Sequence, residues 1–123
     1  PGRSGFENIT MDNIYVSQCK GTVDVPGNKS PLIIIGDDID LKNIKISNLY
    51  RNETHLALPT LRIGTNTTIN NLTFTNSVQT NGTGNPITFI ENNGTIERLF
   101  LSDIDCGDDI LIDGTGIVKE FVK

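Results

Sequence analysis

The chain has 123 residues, 36% of them hydrophobic, and a formal charge of −5. This length fits one domain, and with aromatics at 6% and no Trp any core must be aliphatic. Ala57 is the sole alanine and Leu, Glu and Lys do not cluster at helical spacing, which excludes a helical bundle; the acidic balance excludes the basic surfaces that nucleic acids and anionic membranes require, and no apolar run is long enough to span a bilayer.

In chain order, the first patterned segment is residues 6–13, Phe-Glu-Asn-Ile-Thr-Met-Asp-Asn. Its pattern, apolar-x-polar-apolar-x-apolar-x-Asn/Asp, returns at residues 41–48, 69–76 and 96–103. A shorter apolar run precedes each return, at residues 32–35, 61–63 and 87–90, and another lies at 110–112. The steps Ile35 to Leu41, Ile63 to Ile69, Ile90 to Ile96 and Ile112 to Val118 are all six residues, which predicts a fixed turn. Repeats beginning near residues 6, 41, 69 and 96, with an incomplete fifth from 118, suit the coils of a parallel β-solenoid. Strands of successive coils then lie about 4.8 Å apart. The expected inward columns are Ile9/Ile44/Leu72/Leu99 and Met11/Ile46/Phe74/Leu101. Asn13, Asn48, Asn76 and Asp103 align after them, at a position where Asn tolerates left-handed backbone and stacked amides can bond along the axis. Asn8, Asn43, Asn71 and Arg98 form another column, with Glu120 beginning a fifth place in it. The competing architectures are a set of β-propeller blades and an antiparallel sandwich, for which Asn81-Gly82 and Asn93-Gly94 would supply hairpin turns.

The repeated Asn-Ile-x-apolar-x-Asn rungs resemble the right-handed parallel β-helix of the pectin-lyase-like superfamily, which includes polygalacturonases, polysaccharide lyases and bacteriophage tailspikes and appendages. The resemblance implies an all-β, right-handed parallel β-helix of about four coils with an asparagine ladder, forming one unit over residues 1–123. No amphipathic cap is legible at either end, so the expectation is a segment of a longer solenoid, or one whose ends a partner covers.

Coil length varies over residues 17–31, 49–59 and 77–86, which are expected to be loops on one side of the solenoid. They carry Tyr50, Arg51, Glu53 and His55, then Gln79 and Asn81, a set suited to sugars because it combines aromatic surface with directional hydrogen bonds. His55 is the only histidine and a candidate acid or base. Residues 106–110, Cys-Gly-Asp-Asp-Ile, resemble the Gly-Asp-Asp segment of polygalacturonases, which makes Asp108 and Asp109 the catalytic candidates by that resemblance. The family's N-T-D, G-H-G and R-x-K motifs have no counterparts here, and Gly-Asp-Asp also makes an ordinary turn. Asp103, Asp105, Asp108 and Asp109 lack the spacing of a calcium loop, so no metal or other cofactor is expected. Seven Asn-x-Ser/Thr triplets read as a product of composition. Cys19 and Cys106 fall three coils, or roughly 14 Å, apart, beyond the ~7 Å Cα separation of a disulfide.

The expected function is a β-helical segment of an extracellular or virion protein, such as a phage tail protein, that binds a cell-surface polysaccharide. The resemblance also implies a homotrimer. The alternatives are a polysaccharide-degrading hydrolase or lyase using Asp108 and Asp109, and a structural stalk without a ligand.

Overall fold

The computed structural model describes residues 4–17, 32–53, 59–81, 88–106, 110 and 112–123. Nine strands and no helix occur among them: β1 (Ser4–Ser17), β2 (Ile33–Ile35), β3 (Ile39–Glu53), β4 (Leu61–Ile63), β5 (Thr68–Asn81), β6 (Ile90–Asn92), β7 (Thr95–Asp105), β8 (Ile112–Asp113) and β9 (Ile117–Val122). Odd-numbered strands form one five-stranded sheet in chain order and even-numbered strands a four-stranded sheet. Every pairing is parallel, an arrangement consistent with a β-solenoid and not with an antiparallel sandwich. Asn93-Gly94 makes no hairpin, because it leads from β6 in one sheet to β7 in the other.

The expected inward columns are in register: Ile9, Ile44, Leu72 and Leu99 are successive partners, as are Met11, Ile46, Phe74 and Leu101. Together with Leu41, Ile69 and Ile96 they supply most of the buried core. Phe89 closes it against Phe74, ring centroids 4.6 Å apart.

The long strands bend because their asparagines break the two-residue period. In β3, Leu41, Ile44, Ile46 and Leu49 are buried, so two residues rather than one separate inward positions at Lys42-Asn43 and at Ser47-Asn48. Asn43 and Asn48 have φ of 57° and 54°, left-handed backbone that Asn adopts more readily than most residues. Each such residue resets the inward–outward alternation, turning one strand into three short faces. Asn8, Asn13, Asn76 and Asp103 repeat this backbone in neighbouring strands.

Two expectations change. Residues 49–53 and 77–81 are strand, not loop: β3 and β5 continue past the second bend, with Tyr50 beside Val78, Arg51 beside Gln79 and Glu53 beside Asn81. The pattern was hidden because Arg51, Ser77 and Gln79 occupy inward positions that sequence reading reserves for apolar residues. Nor is the six-residue step a fixed turn. Ile35 aligns with Ile63 and then with Asn92, whereas Ile90 and Ile112 align with Leu61. Residues 36–38 and 64–67 thus link the sheets in the first two cases, but only Asn93 and Gly94 do so before Thr95. Buried Asn92 makes the shorter link possible, accepting from Gly94 N at 3.0 Å and donating to Ile117 O at 3.1 Å. The backbones then approach so closely that a Cβ at Gly116 would lie 2.1 Å from Gly94 O.

Candidate functional site

The first bend of the long strands creates a groove on the outer surface. Asn8 of β1, Asn43 of β3, Asn71 of β5 and Arg98 of β7 line it as one column, beside Thr10, Lys45 and Thr73. Its volume is about 430 Å³. Because each strand contributes a polar side chain in register, the groove runs across the strands, parallel to the stacking direction.

Hydrogen bonds hold the column in place. Asn43 Nδ2 donates to Asn8 Oδ1 at 3.1 Å, and Asn71 Nδ2 donates to Asn43 Oδ1 at the same distance. Asn43 N donates to Asn70 Oδ1, at 3.1 Å. A primary amide has two N–H donors and a carbonyl with two lone pairs, so each column bond uses only part of its capacity. Arg98 and Lys45 are the charged groups of the lining. Arg98 Nε lies 3.8 Å from Glu120 Oε1, a long and exposed pair. The lining therefore presents amide and hydroxyl groups, with cations at two points along it.

Strand alternation separates the residues that sequence reading grouped as a sugar site. Tyr50 faces outward and stacks on exposed Tyr15, with ring centroids 5.0 Å apart and planes within 6°. The two rings lie face to face, so one face of the Tyr50 ring is engaged by Tyr15. Arg51 and Gln79 are each 1% exposed and are brought together inside the protein. Arg51 Nη1 donates to Thr60 Oγ1 at 3.1 Å, and Thr60 Oγ1 donates to Gln79 Oε1. These two side chains build the interior rather than an outer surface. Glu53 and Asn81 end β3 and β5 in mutual register. His55, Asp108 and Asp109 lie outside the described residues, as does Cys19. Cys106 is buried.

Among the described residues no three His, Cys, Asp or Glu side chains group as metal ligands. The groove was partly visible in sequence, since the Asn8/Asn43/Asn71/Arg98 column is aligned there. Its concavity, and the membership of Thr10, Lys45 and Thr73, depend on the bend and were not. Comparison with protein families, with curated proteins and with solved structures finds no match to this chain.

Proposed function

We propose that the chain is a right-handed parallel β-helix of the pectin-lyase-like type, with about four coils and asparagine ladders, that binds a polysaccharide. In this reading it is part of an extracellular or virion protein, such as a trimeric phage tail protein, and the polymer lies along the Asn8–Arg98 groove. The supporting observation is the groove itself: polar side chains, three asparagine amides and then Arg98, repeat once per strand along one line, as an extended chain of sugar rings requires. Lys45 and Arg98 add charge-assisted hydrogen bonds, each contributing roughly 1.5–3 kcal/mol when well formed.

The test is retention on a panel of immobilised bacterial and plant polysaccharides, with mass spectrometry of any released oligosaccharide. Retention by at least one polymer, weakened roughly tenfold or more by Lys45→Ala, is the expected result. Absence of retention across the panel supports the ligand-free stalk. Release of defined oligosaccharides that Asp108→Asn abolishes supports the hydrolase or lyase.

A further inference from the structure

We propose that Tyr15 and Tyr50 are an oxidative cross-linking site, at which the two rings join as dityrosine and tie β1 covalently to β3. They are the only tyrosines in the chain, and they are register partners on neighbouring parallel strands. Their rings stack with centroids 5.0 Å apart and planes within 6°. Parallel pairing sends both side chains out from the sheet in the same sense, which brings the same edge of each ring to the same side of the stack. The pairing is internal to the chain, so the juxtaposition is independent of what flanks β1.

The strands are fixed on both sides of the pair. Before it, Asp12 Oδ1 accepts from Ser47 Oγ at 3.1 Å and from Asn48 Nδ2 at 2.7 Å. Leu49 and Arg51, on either side of Tyr50, are each 1% exposed and align with Ile14 and Val16 of β1. These inward residues hold the backbone while the outward rings stay free to tilt about their own bonds. Competing sinks for a radical are few. The chain has no Trp and one Met, which belongs to an inward column, and Cys106 is buried. On its other side Tyr50 aligns with Val78, an aliphatic residue inert to one-electron oxidation. A radical formed on either ring therefore has the other phenol in contact with it.

The oxidant is hydrogen peroxide acting through a haem peroxidase. Each phenol gives up one electron and one proton, leaving a phenoxyl radical with spin on the carbons ortho to its oxygen. One ortho carbon of each ring pairs its electron with that of the other in a new C–C bond. Each of these carbons then passes its hydrogen, as a proton, to the oxygen of its own ring, which restores both phenols. The chain loses two electrons and two protons in all, and these reduce one hydrogen peroxide to two waters. The product closes the loop from residue 15 to residue 50, constraining the unfolded chain as a disulfide does.

Treatment of the whole chain with hydrogen peroxide and a haem peroxidase tests this, with mass spectrometry, dityrosine fluorescence and peptide mapping as readouts. The expected product is a monomer lighter by two hydrogen atoms, in which the peptide containing Tyr15 is joined to that containing Tyr50. At about 10 μM chain, an effective local concentration in the mM range favours this product over intermolecular dimers by roughly 100-fold. Tyr15→Phe and Tyr50→Phe keep a ring in the stack but abolish the internal product, and circular dichroism confirms that each keeps its sheet content. The cross-linked monomer unfolds at a higher urea concentration than the untreated chain. In urea that unfolds the chain, the ratio of internal to intermolecular product falls by roughly tenfold or more, because the tether remains but the stack does not. Predominantly intermolecular dityrosine from the folded chain, no dityrosine at all, or the same ratio in urea overturns the proposal.

Discussion

Asn48 donates its side-chain amide to Asp12 Oδ1 at 2.7 Å, joining β3 to β1 at the second bend of the long strands. The same side chain accepts a hydrogen bond from Asn76 Nδ2, and its own backbone has φ of 54°. One residue therefore supplies both the left-handed backbone of the bend and the polar link between three neighbouring strands.

Replacing it separates these contributions. Asn48→Ala loses both side-chain bonds and strains the backbone, and is expected to destabilise the fold by about 2–3 kcal/mol. Asn48→Gly relieves the strain but not the lost bonds, and is expected to cost about 1–2 kcal/mol. Urea unfolding midpoints check the ordering; equal losses for the two variants would remove backbone strain from the account.

Asp12 gives the bend a pH dependence. Hydrogen bonds from Asn48 and then Ser47 hold its carboxyl below the usual value of 3.8, with a smaller contribution from the Lys45 charge. A carboxylate whose folded pKa is depressed stabilises the fold above its unfolded pKa, and that contribution is lost as pH falls through the folded value. Wild type should accordingly lose more stability than Asp12→Asn between about pH 5 and pH 2. Thermal melts of both proteins across this range measure it. Parallel decline of the two would show that Asp12 contributes nothing.

Arg51 and Tyr50 are adjacent in sequence but lie on opposite sides of β3, and their replacements should differ accordingly. Arg51→Ala removes the buried donor to Thr60 Oγ1 and opens a cavity beside Gln79, for an expected loss of about 3 kcal/mol or more. Tyr50→Ala removes a stacked ring from the outer surface, for about 1 kcal/mol. Denaturant titration of the two variants is the comparison. Tyr15 and Tyr50 are the only tyrosines and the chain has no Trp, so near-ultraviolet circular dichroism follows the stack directly.

The inward columns could be read from sequence because their residues are apolar on both sides of an asparagine bend. Ile44 and Ile46, flanked by Asn43 and Asn48, show the pattern within six residues. The run from Leu49 to Glu53 could not be read in this way. There Arg51 takes an inward place, and its partners Thr60 and Gln79 lie 9 and 28 residues away. Polar residues with polar partners inside look like loop residues until those partners are known. The same limit applied to Asn92, which takes the inward place that Ile35 and Ile63 hold in the neighbouring strands.

What the amino-acid order determined by itself is the local alternation: which residues of each repeat turn inward, and where asparagine resets the phase. Those properties depend on side-chain period and on φ, both of which act within a few residues. Only the tertiary structure decided the length of the links between sheets, the placing of Arg51 inside and Tyr50 outside, and the groove along Asn8, Asn43, Asn71 and Arg98. Each depends on the register between strands some 22 to 35 residues apart, which is set by the pairing of one repeat with the next and not by any one repeat alone.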